Sequence, residues 1–195
     1  YFSNKKKCLV HLGMSGTIHL IKKNRKEVIT NTSFYNSPKL PNKHNHIEIF
    51  FEDCKIVYND PRRFGFFEIV ENDKLLKEKF NHLGPEPFNS KFNLDYINLK
   101  LRRKHKNIKN FLIDQNFVSG IGNIYASEIL FLSKVNPSKK AKNLKKKDYK
   151  KILINSKKVL REAINKGGSS IKNFSNVSGK YGGFQNEFKV YQREG

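Results

Sequence analysis

Two cysteines, one methionine, no tryptophan and only 17 acidic side chains occur in the 195 residues of this sequence. Cys8 and Cys54 lie far apart and belong to no Cys-x-x-Cys pair, so the chain encodes neither a disulfide framework nor a zinc site. Buried apolar positions are expected for both. No apolar run approaches the roughly 20 residues that a membrane-spanning helix needs. The first residues lack the charged-then-apolar pattern of a secretory signal, and a soluble intracellular protein is expected. The shortage of carboxylates is the most telling of these absences. Set against 39 Lys and Arg, it leaves a formal net charge of +22 and a pI near 10.0. Such an excess favours a polyanionic partner, of which nucleic acid is the natural one. The competing explanation is nucleotide bias in the genome, with much of the charge on ordinary solvated faces. A hydrophobic content of 37% suffices for one large domain or two small ones.

Short runs of β-branched and aromatic residues fill the first 70 or so positions. Strands are expected within 7–21, a hairpin over 46–58 and a further strand at Phe66–Val70, with a polar loop near 31–45 punctuated by Pro38 and Pro41. The period then changes. Helical spacing runs through 72–80, 93–103, 106–117, 123–133 and 146–166, with a break at Gly84-Pro85-Glu86-Pro87 and a stop at Gly167-Gly168. The tail from 168 to 186 is rich in Gly, Ser and Asn and reads as a mobile loop leading to a strand at Glu187–Tyr191. The fold class is α+β, divided as 1–71, 72–166 and 167–195.

Three constellations carry chemistry. Ser119-Gly120-Ile121-Gly122-Asn123 falls between two helical patterns, where glycines let backbone N–H groups point outward at a helix start. That arrangement cradles a phosphate, or it is a plain tight turn; Arg102-Arg103-Lys104-His105-Lys106 and Lys109 nearby favour the cradle. Asp60-Pro61-Arg62-Arg63-Phe64-Gly65 offers a cationic fork and an aromatic wedge on a turn between strands. The alternative pairs Arg63 with Asp60 and sends Phe64 into the core. Met14, between Gly13 and Ser15-Gly16, is either an exposed adaptable side chain or core filler. His44 and His46 share a strand face without the further ligands a metal needs, which leaves a phosphate contact or a structural role. The lysines at 139–151 read as a solvated helix face.

The motifs His-Leu-Gly-Met-Ser-Gly at 11–16, Asp-Pro-Arg-Arg-Phe-Gly at 60–65, His82-Leu83-Gly84-Pro85-Glu86-Pro87 and Gly120-Ile121-Gly122-Asn123-Ile124-Tyr125-Ala126-Ser127-Glu128 occur together and in this order. On them, the whole chain resembles the formamidopyrimidine-DNA glycosylases, bacterial base-excision repair enzymes that remove oxidised purines (8-oxoguanine and formamidopyrimidines). The resemblance implies a β-sandwich followed by a helix–two-turn–helix domain, with damaged or abasic double-stranded DNA held in the cleft between them. It implies that Met14, Arg62 and Phe64 fill the void left by a flipped nucleotide. His44, Arg62, Lys104, Lys109, Gly122, Asn123 and Tyr191 are implied to contact DNA. Ser178-Gly179-Lys180-Tyr181-Gly182-Gly183-Phe184 is implied to close over the extruded base.

The family's nucleophile is an N-terminal proline amine that forms a Schiff base, assisted by a Glu acid/base and by a Lys in strand cleavage. By the resemblance, no catalytic residue is expected within 1–195. All three are expected upstream of Tyr1, and zinc is expected to be held by cysteines downstream of Gly195, with no cofactor in the chain itself. A monomeric, cytoplasmic bacterial protein, drawn to the nucleoid by DNA and not to membranes, is the corresponding expectation. The resemblance also makes the full-length protein an abasic-site lyase and the fragment inactive. Two other classes remain open from the sequence: a catalytically inactive module that binds damaged DNA, and a basic RNA-binding protein. The related endonuclease VIII branch fits the Met14 and Arg62-Arg63-Phe64 motifs less well.

Overall fold

The computed structural model describes residues 1–22, 40–169, 182–191 and 193. Two compact units are present, one formed by Tyr1–Glu78 with Lys166–Gln185, the other by Lys79–Asn165 with Asn186–Gly195. The chain is α+β, with antiparallel sheets in the first unit and a helical core in the second. None of the described helices is long and apolar enough to cross a membrane.

Among the described residues, five strands build the first unit. β1 (Lys7–His11) pairs with β5 (Phe66–Val70), His11 standing opposite Phe66 and stacking on its ring. β4 (Cys54–Asn59) is the centre of the other sheet, flanked by β2 (Thr17–Lys22) and β3 (Asn45–Phe50). Its Ile56-Val57-Tyr58 run suits a strand paired on both edges, and Val57 and Tyr58 are buried. The hairpin of β3 and β4 and the strand at Phe66–Val70 fall where the sequence places them. Cys8 and Cys54 are half-buried strand residues and not core positions.

α1 (Asp73–Phe80) starts beyond Asn72, whose side-chain oxygen accepts the Leu75 N–H at 2.9 Å. An ion pair between Lys7 and Asp73 ties this first turn back to β1. In the second unit α2 (Leu94–Leu101) is capped by Asn93, which accepts from Tyr96 N–H at 3.0 Å. α4 (Asn123–Ser133) and α5 (Lys146–Asn165) pack together, and Ile97, Leu101, Ile108, Leu112, Ile129 and Ile152 form a fully buried core.

Two sequence expectations need correction. The helical pattern over 106–117 yields only α3 (Ile108–Leu112), because the Asp114 carboxylate accepts the Asn116 N–H and its carbonyl accepts those of Phe117 and Val118. This local turn competes with continuation of the helix. The strand expected at Glu187–Tyr191 is absent. Phe184–Glu187 forms a single 3-10 turn instead, and the backbone N–H groups of Lys189, Val190 and Tyr191 all donate to the Glu128 carboxylate, at 2.8, 3.0 and 3.0 Å. Those amides have a side-chain acceptor where a strand would need a partner strand. The polar-loop positions 31–39 and the strand-flanking residues 170–181 lie outside the described residues.

Glu128 is buried, so its charge is stabilised by these three donors and the 189–191 segment by it. Glu128→Ala is expected to cost about 3 kcal/mol of stability, the size of a charged hydrogen-bond cluster lost from a buried site. It should also speed amide hydrogen exchange at Lys189, Val190 and Tyr191. Urea unfolding and exchange by mass spectrometry measure both, and unchanged exchange at these amides would refute the anchor.

Candidate nucleic-acid interface

Asp60 organises the candidate site of the β unit. It is fully buried, and its carboxylate accepts from the Ser15 hydroxyl, the Tyr58 phenol at 2.9 Å, Gly65 N–H at 3.0 Å and Arg62 N–H at 3.2 Å. Burial works to raise its pKa, but the hydrogen bonds from Ser15, Gly65, Tyr58 and Arg62 together outweigh it and hold the carboxyl well below its ordinary value. Burial and donation to the same carboxylate push the Tyr58 phenol up to about 12. The backbone of Asp60 is engaged as well: its N–H donates to the His44 carbonyl at 3.0 Å, and its carbonyl lies 2.9 Å from His46 Nε2.

Two turns are thereby clamped face to face. Gly13, at φ +65°, passes so close to the other turn that a Cβ there would lie 2.8 Å from the Phe64 carbonyl carbon. At Gly65 a Cβ would strike the Tyr58 hydroxyl and the His11 carbonyl. Arg63 takes a left-handed conformation at φ +56°. With the carboxylate of Asp60 committed elsewhere, the pairing of Arg63 with Asp60 reduces to a backbone contact of 3.3 Å.

The clamp leaves three side chains projecting together. Met14 is 58% exposed and Phe64 55%, which rules out a core role for either. The Arg62 guanidinium sits over the Phe64 ring at 4.5 Å and reaches Met14 Sδ at 3.6 Å. Cation–π attraction of this kind holds the fork and the ring as one unit. His44, at φ +69°, borders β3, with its ring 6.5 Å from that of His46 across a bulge in the β3–β4 register. No group of three or more potential metal ligands occurs among the described residues. Cys8 in β1 and Cys54 in β4 belong to different sheets. The described residues therefore bring together no ligand set that fits zinc.

In the helical unit the glycine loop is supported from below. Gly84 donates to the Gln115 carbonyl at 2.8 Å, and Ser119 N–H donates to the Pro85 carbonyl at 3.3 Å. The His82–Pro87 motif is thus a brace for the turn that precedes Gly120. Tyr96 donates to the Phe117 carbonyl at 2.7 Å, and Phe92, Tyr96 and Phe111 ring the buried Phe117. Gln115, which sequence reasoning passed over, latches the loop. Its amide oxygen accepts Gly120 N–H at 2.8 Å, and its amide nitrogen donates to the Ile121 carbonyl at 3.1 Å.

Gly120, at φ +86°, and Gly122 both face open space, so a ligand can approach the backbone directly. Gly122 caps α4 without a side chain, and the exposed Asn123 opens the helix. An uncapped helix start of this kind concentrates N–H donors and positive potential for an anion. Lys109 lies beside α4, where it lines a cavity of about 400 Å³ with Ser127, Phe131 and Lys134. Lys104 is exposed in the turn after α2, its carbonyl accepting from Lys142 N–H. Among the described residues no hydrogen bond joins Lys104 to the Gly120–Asn123 loop. Tyr191 is half-buried against Phe188, its N–H held by Glu128.

Of the segment 178–184, Ser178, Gly179, Lys180 and Tyr181 lie outside the described residues. Its other end is fixed: Gly183 N–H donates to the Lys166 carbonyl at 2.8 Å and Phe184 N–H to the Gly168 carbonyl at 3.1 Å. A Cβ on Gly182 would collide with the backbone of Gly168. The two ends of the 169–181 stretch are therefore stapled together.

Two family descriptions match the chain, the formamidopyrimidine-DNA glycosylase N-terminal domain over residues 1–67 and the formamidopyrimidine-DNA glycosylase H2TH domain over residues 83–175. The formamidopyrimidine-DNA glycosylase of Psychromonas ingrahamii is 38% identical, covering 96% of this chain and 64% of that protein. That of Rickettsia africae is also 38% identical, over 100% of this chain and 66% of the relative. Among solved structures, Lactococcus lactis Fpg in complex with an abasic-site-containing DNA superposes with a TM-score of 0.79 at 32% identity, over 97% of this chain and 65% of that one. MutM in complex with carbocyclic 8-oxo-G-containing DNA gives 0.80 at 32% identity, over 99% and 66%. The chain spans 64–66% of the length of these relatives.

A carboxyl whose pKa is depressed on folding contributes stability that is full above its unfolded pKa and lost as pH falls through the folded value. Asp60→Asn is expected to cost about 3 kcal/mol at pH 7. The gap between the parent and D60N should narrow as pH drops below about 4, the ordinary carboxylate pKa. Urea unfolding of both proteins from pH 7 to pH 3 measures it; a gap independent of pH would show that the charge of Asp60 is not what holds the turns.

Proposed function

The chain belongs to the formamidopyrimidine-DNA glycosylase family, and from that premise we propose that its residues hold and distort damaged duplex DNA for the excision of oxidised purines. The convergence of Met14, Arg62 and Phe64 on one exposed tip carries this reading. An unbranched thioether, a planar cation and an aromatic ring held together can enter a base stack from one side. Phe64 unstacks a step, Arg62 presents its fork of donors to the base left without a partner, and Met14 fills the remaining space. The desolvation cost of three exposed, partly apolar side chains is recovered when the stack closes on them.

Backbone positioning comes from the helical unit. The N–H groups at the start of α4, with Asn123 and Gly122, take a phosphate; Lys109, Lys104, His44 and Tyr191 supply further backbone contacts that carry no sequence information. The anchor from Glu128 places the Tyr191 backbone, and the staple at Gly182–Phe184 defines the base of the segment that closes over the extruded purine. In the whole protein this leads to removal of 8-oxoguanine and formamidopyrimidines and to cleavage at the abasic site. No residue within 1–195 is assigned to bond breaking, so binding and nicking separate in the test. A catalytically inactive damage-binding module makes the same contacts and differs only in that the whole protein, too, does not nick 8-oxoguanine DNA.

The expected result in a gel-shift titration is preference for a duplex carrying a stable abasic-site analogue over an undamaged one, without nicking of 8-oxoguanine DNA by the 195-residue chain. Equal affinity for both duplexes would overturn the reading. Phe64→Ala should reduce base extrusion, reported by a fluorescent base analogue opposite the site, more than it slows initial association. Asn123→Ala should weaken binding by about 1–3 kcal/mol, and Lys109→Ala should lower the salt slope of binding by about 1. Unchanged affinity and slope in both would remove the phosphate cradle.

A further inference from the structure

α5 carries a second concentration of charge that the wedge and the glycine loop do not use. At about 100° per residue, its buried side chains Asp148, Tyr149, Ile152, Ser156, Val159, Leu160 and Ala163 occupy one arc. The remaining arc holds Lys146, Lys147, Lys150, Lys151, Lys157, Lys158 and Arg161, with a single carboxylate, Glu162, at its edge. Asp148, the other acidic residue of the helix, is turned inward and accepts from Lys145 N–H and Lys139 Nζ. Among the described residues Lys150, Lys151, Lys157 and Lys158 have no ion-pair partner.

A helix face that is merely solvated interleaves opposite charges at i and i+4, because like charges at that spacing repel. Here Lys146 stands four residues from Lys150, Lys147 from Lys151, and Lys157 from Arg161, against one opposite-charge spacing, Lys158 to Glu162. The face is self-repelling, and a polyanion relieves it. From Lys147 to Arg161 the track runs about 21 Å along the helix axis, alongside which a DNA duplex presents about twelve phosphate charges. At the N-terminal end Arg102 and Lys142 extend it, lining with Lys146 a cavity of about 240 Å³. The cationic arc carries no aromatic side chain of its own; the exposed Ile154 and Ile164 lie on it, and Arg161 sits over the Phe88 ring at 5.4 Å, a single ring and not the succession of platforms on which single-stranded bases stack. α4 packs against α5, and Asn155, at the margin of the cationic arc, donates to the Ser133 hydroxyl at the last residue of α4.

We propose that the outward face of α5 binds the backbone of a second duplex DNA segment, independently of the lesion-reading tip. The site stands on the charge distribution of α5 alone, so its failure and that of the wedge are separately visible. The test is a fluorescence titration of the 195-residue chain at low salt with a short undamaged duplex, comparing the parent with a variant carrying Lys150→Gln, Lys151→Gln, Lys157→Gln and Lys158→Gln. Glutamine is a good helix former at exposed positions, and circular dichroism checks that the helix is kept.

The parent is expected to bind two duplex equivalents and the variant one. The variant's salt slope should be lower by about 3–4, near 0.9 per lost phosphate contact, while its preference for the abasic analogue is retained. Arginine at the same four positions should restore both stoichiometry and slope. One equivalent in the parent, an unchanged slope in the variant, or retention of a structured RNA hairpin in place of the duplex would each overturn the proposal. Loss of abasic preference in parent and variant alike, with the second equivalent intact, would instead strike the wedge.

Discussion

The Asp60 carboxylate is the constraint on which the β unit's functional surface depends. Burying a charge is unfavourable unless donors surround it, and the donors here come from three separate places in the sequence: Ser15, Tyr58 and the backbone at Arg62 and Gly65. Three of the four belong to or adjoin something that must be placed. Ser15 adjoins Met14, Arg62 is itself part of the tip, and Gly65 follows Phe64. Satisfying one buried anion therefore sets the backbone beneath three exposed side chains, which nothing in a hydrophobic core holds in position. The His44 and His46 segment is drawn to the same residue through the peptide groups of Asp60.

The helical unit solves a related problem with Glu128. Its carboxylate gathers three consecutive N–H groups from a segment 61–63 residues further along the chain. The two anions share a physical logic: a short-sequence motif supplies a buried acceptor, and distant backbone supplies the donors. Irregular backbone is thereby given a defined path without being made into helix or sheet, which leaves its side chains and remaining polar groups available to a ligand. Gln115 does the same at smaller charge, saturating the inner side of the glycine loop so that the outer side stays open.

Much of this was legible in the sequence. α4 and the strand at Phe66–Val70 carry their periodicity in adjacent residues, whereas for Met14 and Phe64 the sequence left an exposed and a core position open, and the structure exposes both. What the sequence hides is long-range acceptance. Asp60 reads locally as a partner for Arg63, because the Tyr58 and Ser15 hydroxyls become its donors only once β2 and β4 pair. Glu187–Tyr191 reads as a strand for the same reason: its alternation is real, but its amide partner is a side chain on α4. α3 was overestimated because an Asp at 114 and an Asn at 116 look neutral in a helical pattern yet close a turn of their own.

The distribution of charge follows from these arrangements. The wedge needs a cation of fixed geometry, and Arg62 is fixed by stacking on Phe64, so its value lies in direction and not in net charge. The α5 face has the opposite character: many lysines, of which Lys150, Lys151, Lys157 and Lys158 have no ion-pair partner among the described residues. Point charges of that kind give salt-dependent, sequence-blind attraction to phosphate, whereas a stacked guanidinium reads one position. On the two proposals together, a chain of charge +22 separates two electrostatic tasks onto different elements. Genome-wide nucleotide bias can raise the lysine count, but it does not order side chains by helical angle, and it does not turn the one aspartate of α5 inward, where it accepts from Lys145 N–H and Lys139 Nζ.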